Sequence, residues 1–168
     1  MKKIIRVMVI VTLVSLCSGL SSAMGDFFFM DNEIIGKPTP DFTLKTVSGQ
    51  EINLSQYRDG KKTIIFFWAT WCPHCREALR GLAQSQEEFE KKEIKLVLVD
   101  VGENLEVVQN YIEKNDITFE IFLDEKNQLA ESYGIVGIPT FFFINQEGIV
   151  KEMGHSLPEN YEEILSKT

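Results

Sequence analysis

The stretch "TIIFFWATWCPHC", Thr63 to Cys75, decides how this chain is read. Its first seven residues form a continuous apolar run rich in β-branched and aromatic side chains. A strand buried on both faces of a sheet has that composition. The run stops at Thr70, and two cysteines follow with only Pro73 and His74 between them. Pro73 suits the first position of a helix, where its missing N–H is no loss. Cys72 then falls at the N-cap, beside unpaired backbone N–H groups and the positive end of the helix dipole. Both favour thiolate over thiol, and a protonated His74 adds to the effect. Cys72 is therefore expected to be the reactive nucleophile. Cys75, one turn further on, is shielded by the helix and placed to resolve a mixed disulfide.

Outward from this point, strands and helices alternate. Asp41–Leu44 and Glu51–Asn53, with a turn at Gly49, read as a β-hairpin. A helix is expected from Pro73 to about Lys91. A second buried strand follows at Ile94–Val101, then a helix over Leu105–Lys114 with Val107, Val108, Tyr111 and Ile112 inward. Phe119–Leu123 reads as a short extension, and Gln128–Gly134 as a short helix ending at Gly134. Thr140–Ile144 and Ile149–Met153 form an antiparallel pair around a turn. Leu157–Ser166 closes the chain as a helix with Pro158 in its first turn. The expected class is α/β, with a central mixed sheet and helices on both faces.

The N-terminus follows another plan. Lys2, Lys3 and Arg6 precede a largely apolar stretch of ten residues, Val7–Leu16, and the small residues of "GLSSA". That is the three-part layout of a secretory signal, with cleavage expected after Ala23. The apolar run falls short of the roughly 20 residues of a membrane span. An uncleaved anchor, or lipidation at Cys17, is the lesser alternative. Residues 24–34 read as a lead-in, and residues 35–168 as the domain. Loss of residues 1–23 takes three positive charges and no negative ones from a formal net charge of −8, leaving −11. Such a protein is repelled by nucleic acid and by anionic membrane surfaces.

Once Cys17 leaves with the signal, Cys72 and Cys75 are the remaining thiols. Their two-residue loop constrains the unfolded chain little, so the pair is a poor structural staple. A structural zinc site needs about four ligands, and His74 and His155 are the available histidines. Haem attachment needs His after the second cysteine, where Arg76 stands. The peroxide-reducing pattern needs Pro and Thr where Ile65 and Ala69 stand.

"FFWATWCPHC" together with "GIPTFFFIN" resembles the thioredoxin superfamily. "VDVGEN" (Val99–Asn104), the lead-in hairpin and the signal narrow the resemblance to TlpA-like exported thiol–disulfide oxidoreductases. That branch includes the reductants of apocytochrome c. The resemblance implies a cis peptide at Ile138–Pro139 facing the cysteines, with Ile138 offering its backbone to substrate. It implies that Trp71 shelters the site and presents a flat surface to substrate, while Trp68 is expected in the core. Thioredoxin's buried Asp is replaced here by Phe66, and the resemblance assigns its proton-accepting role to Glu103. A carboxylate there would relay the proton of Cys75. No cofactor beyond the Cys72–Cys75 disulfide is implied. The implied partners are protein dithiols or disulfides and a membrane thiol electron donor. The Pro73–His74 dipeptide is that of a strongly oxidising exported oxidase, whereas the branch points to a reductant. The absence of the oxidase's large helical insertion between Val101 and Tyr133 tips the expectation to a reductant. A disulfide-forming oxidase and a non-catalytic binding module stay open beside it.

Overall fold

The computed structural model describes residues 32–168. The signal segment, Cys17 and the lead-in up to residue 31 lie outside the described residues. A five-stranded sheet in the order β5-β4-β3-β6-β7 forms the centre. Its strands are β3 (Thr63–Trp68), β4 (Lys95–Val101), β5 (Ile121–Asp124), β6 (Thr140–Ile144) and β7 (Val150–Gly154). The pairs β3–β4 and β4–β5 are parallel, and β3–β6 and β6–β7 are antiparallel. The sheet is therefore mixed, as expected. A separate hairpin joins β1 (Thr43–Lys45) to β2 (Glu51–Asn53).

Side-chain alternation divides the core between the two faces. Ile64, Phe66 and Trp68 of β3 pack on one face with Leu98, Phe141 and Phe143. Over them lie α2 (Pro73–Gln84), α3 (Gln86–Lys91), α4 (Leu105–Lys114) and α6 (Tyr161–Ser166), which bury Leu79, Phe89, Val108 and Ile164 respectively. Ile65, Phe67, Val97, Val99 and Phe142 take the other face, under α1 (Leu54–Arg58) and α5 (Gln128–Ser132). All six residues of β3 are buried, which is why it reads as an unbroken apolar run.

Both edges of the sheet are covered by the start of the described chain. Beside β7, the Gly36 N–H donates to the Val150 carbonyl at 2.7 Å, and Val150 N–H donates to Lys37. Pro38 bridges Ile149. Beside β5, Thr46 bridges Phe122, and Val47 N–H donates to Ile121. Residues of the lead-in pack here too: Asn32 Nδ2 donates to the Tyr133 carbonyl at 2.7 Å.

The short extension expected at Phe119–Leu123 is present as β5, a fully buried parallel strand. Three expectations need correction. The helix from Pro73 breaks at Ser85, whose backbone leaves the helical range (φ −101°, ψ 7°) and whose N–H is shared between the Gly81 and Leu82 carbonyls. The closing helix starts at Tyr161, because Pro158 and Asn160 form a turn in which Tyr161 N–H reaches the Pro158 carbonyl. Val107 is 42% exposed, since only Val108, Tyr111 and Ile112 share the inner face at i, i+3 and i+4. The short helix α1 escaped the sequence reading.

Candidate active site

The site stands where β3 gives way to α2. Cys72 is the N-cap of α2, with extended backbone (φ −84°, ψ 112°), and Pro73 occupies the first turn. The Cys75 backbone N–H donates to Cys72 Sγ at 3.2 Å. The sulfur thus takes the place usually held by a capping oxygen, against the orphan donors of the helix start. A disulfide joins the two cysteines, whose Cα atoms are 5.2 Å apart. Cys72 is 4% exposed and Cys75 is fully buried. An incoming group therefore meets Cys72 first, while Cys75 backs onto Leu79 and the core.

Opposite the sulfurs, the Ile138–Pro139 peptide is cis. The Ile138 carbonyl oxygen lies 3.9 Å from Cys72 Sγ. Trp71, next to Cys72 in the chain, is 66% exposed, and Val136, two residues before Ile138, is 79% exposed. Trp68, by contrast, is fully buried. Pro73 and His74 are exposed on the first turn of α2.

A cleft of about 480 Å³ runs beside the pair. It is walled by His74, Ala78, Pro139, Phe141, His155 and Leu157. His155 is a residue that sequence reasoning left aside except as a metal candidate. Its Nδ1 lies 2.7 Å from the Pro139 carbonyl oxygen, so that nitrogen carries the hydrogen and donates. His155 thereby ties the proline loop to the end of β7. No sequence signal could have linked positions 139 and 155 in this way. Among the described residues, no group of three or more histidine, cysteine or acidic side chains is arranged to hold a metal.

Glu103 sits on the loop between β4 and α4. Its carboxylate accepts hydrogen bonds from the Thr70 backbone N–H and from Thr70 Oγ1, the latter at 2.7 Å. Thr70 lies two residues before Cys72, so Glu103 is bound to the loop that leads into Cys72. Gly102 makes the approach possible. Its φ of +80° is costly for any residue with a Cβ, and a Cβ built there would meet Asn127 Oδ1 at 2.8 Å.

A second carboxyl, which the sequence reading passed over, lies behind Glu103. Asp100 is the sixth residue of β4 and fully buried. Neither of its oxygens has a hydrogen-bond partner among the described residues. Burial, and then the neighbouring Glu103 carboxylate, push its pKa from the ordinary 3.8 to about 8. Its sequence signal was a lone acid closing an apolar strand, which reads equally well as a strand end emerging into water.

Comparison with known proteins agrees with this geometry. The AhpC/TSA family model matches residues 35–153. A thiol–disulfide oxidoreductase ResA from Geobacillus thermodenitrificans is 33% identical over 149 residues, spanning 88% of this chain and 85% of that protein. Among solved structures, StoA from Bacillus subtilis superposes with a TM-score of 0.62 at 31% identity, covering 77% of this chain and 96% of that one. A DsbE-type thiol:disulfide interchange protein from Chlorobium tepidum gives a TM-score of 0.68 at 27% identity, covering 77% and 92%. The relatives named are thiol–disulfide proteins, in keeping with Ile65 and Ala69 at the positions the peroxide-reducing pattern needs. The chain belongs to the AhpC/TSA family, with a thioredoxin-like fold, and is a thiol–disulfide oxidoreductase.

Proposed function

We propose that the protein is an exported protein-disulfide reductant whose working group is the Cys72–Cys75 pair. The observation that carries this is the inequality of the two sulfurs. Cys72 caps a helix N-terminus at the surface, and Cys75 is sealed behind it. In the reduced protein, the Cys72 thiolate attacks a substrate disulfide and one substrate thiolate leaves. The Cys75 thiol gives up its proton, with Glu103 as acceptor, and its sulfur attacks Cys72 Sγ. The second substrate thiolate leaves, and the protein holds the disulfide. Two electrons have passed to the substrate. A dithiol at the membrane restores the reduced pair by the reverse exchange, and no cofactor beyond the disulfide takes part.

Substrate chain lies against Trp71, Pro73 and His74 on one side and Ile138 and Pro139 on the other. The Ile138 carbonyl beside Cys72 Sγ supports this, because it can accept a hydrogen bond from an extended peptide. The signal-like N-terminus supports export, to the periplasm or the outer face of the cytoplasmic membrane. No described helix is long and apolar enough to cross a membrane. The ResA and DsbE-type likeness supports a disulfide client of the apocytochrome c kind.

The test is the equilibrium potential of the pair in glutathione buffers, with insulin reduction as the activity. A value below about −200 mV, with activity lost in Cys72→Ser, is the expected outcome. A value near −120 mV would make the Pro73–His74 dipeptide decisive and the protein an oxidase. No turnover in the wild type would leave a binding module.

A further inference from the structure

Glu103 has a partner that changes what it can do. β3 and β4 run parallel with Trp68 paired to Asp100 and Phe66 to Leu98. Paired residues on adjacent strands project from the same face. Phe66, Trp68 and Leu98 all join the core cluster that contains Cys72 and Cys75. Asp100 therefore lies on the cysteine-bearing face of the sheet, one strand over from Trp68. The Trp68 indole N–H at the paired position is also buried without a partner.

Two carboxylates here cannot both be ionised without cost. Asp100 is fully buried, its side-chain oxygens have no hydrogen-bond partner among the described residues, and the charged groups acting on it, Glu103 and Asp124, are of its own sign. The groups acting on it are Glu103 from the β4–α4 loop and Asp124 from the end of β5. Asp124 is itself occupied, accepting the Ala130 N–H at 2.8 Å. Tyr111 of α4 packs on Trp68, and Cys72 at the N-cap of α2, Cys75 of α2 and Tyr161 of α6 are further titratable groups of the same core cluster. A protonated Asp100 supplies the O–H that this pair of acceptors lacks and can donate it to Glu103.

We propose that Asp100 and Glu103 hold one proton between them, and that this pair, with Asp100 as positioning residue, is the acid–base group of the Cys72–Cys75 exchange. The inference rests on the reading of Glu103 as proton acceptor given above. In the reducing direction Cys75 loses its proton to the pair as its sulfur bonds to Cys72, and the bond from Cys72 to the substrate sulfur breaks. The departing thiolate, or water, then takes the proton from the pair. Charge on the buried side never exceeds one carboxylate, because the second proton never has to leave Asp100. Thr70, hydrogen-bonded to Glu103 through two groups, couples the pair to the loop that bears Cys72.

The experiment compares pH profiles of mixed-disulfide resolution in wild type, Asp100→Asn and Glu103→Gln. The wild type should show an inflection near or above neutral pH. Asp100→Asn has no shared proton to release, so the inflection should leave that range or fall by about one pH unit or more. An unchanged Asp100→Asn profile alongside a slowed Glu103→Gln would overturn the shared proton and leave the reading of Glu103 standing. A wild-type profile in Glu103→Gln would remove that reading itself. Should Asp100→Asn not fold, ¹³C NMR of the Asp100 carboxyl in the wild type decides. Titration near neutral or above is expected, and titration in the ordinary carboxylate range would sink the proposal.

Discussion

Replacing Asp100 by Asn should stabilise the protein, by an amount that depends on pH. Asn keeps the size of the side chain, cannot ionise, and can still donate to Glu103. Asp100 titrates near 3.8 in an unfolded chain and at about 8 in the folded one. Below pH 3.8 the group is protonated in both states and this effect is absent. Between 3.8 and about 8 the folded chain keeps a proton that the unfolded chain has released, so wild-type stability falls as pH rises. Each unit corresponds to about 1.4 kcal/mol. The loss accumulated at pH 7 is then at most about 4 kcal/mol, and above pH 8 it stops growing. Relaxation and water entry reduce such penalties, so the advantage of Asp100→Asn should widen by about 1–3 kcal/mol between pH 5 and pH 7. Urea unfolding of both proteins at pH 5, 7 and 9 measures this. An advantage that is flat across that range, or that shrinks as pH rises, would refute the reasoning.

Cys75→Ser should trap a mixed disulfide between Cys72 and a substrate cysteine, visible by mass spectrometry and released by dithiothreitol; Cys72→Ser should trap none. Gly102→Ala should cost about 1–2 kcal/mol for its left-handed backbone. It should also slow turnover beyond that loss by moving Glu103, which insulin reduction on the still-folded variant would read. Phe66→Ala should destabilise by about 3–5 kcal/mol in a denaturant melt, because Phe66 is fully buried and stacked on Phe141 at 4.5 Å.

The parts of the fold visible in the sequence were those whose physics is local. An all-apolar run can only be a buried strand or helix, and the Cys-Pro step marks a helix start, so β3, β4, β6 and the beginning of α2 were readable. The hairpin announced itself through Gly49. What hid was decided at a distance. β5 was readable as a short extended stretch, but its full burial depends on the hairpin packed against its edge. The break at Ser85 comes from one residue that helices tolerate well. The site divided in the same way. The positions of Cys72, Pro73 and Cys75 followed from their own spacing, whereas Ile138, Pro139 and Glu103 were placed by family resemblance. Asp100 and His155 surfaced only when strand register and the turn after β7 set them beside Glu103 and the Pro139 carbonyl.

The pairing of Gly36 and Lys37 with Val150 carries a consequence for how the chain comes together. The first long-range backbone bonds of the described chain wait for the last strand. A chain made from its N-terminus cannot complete this clasp until residue 150 has been delivered. Such sequence-distant closure makes for a high contact order and slow folding. Until it closes, the β7 side has bare backbone open to a neighbouring chain. Crowding, or deletion of residues 32–38, should therefore favour association through that side, whose Val150 end the closed clasp occupies.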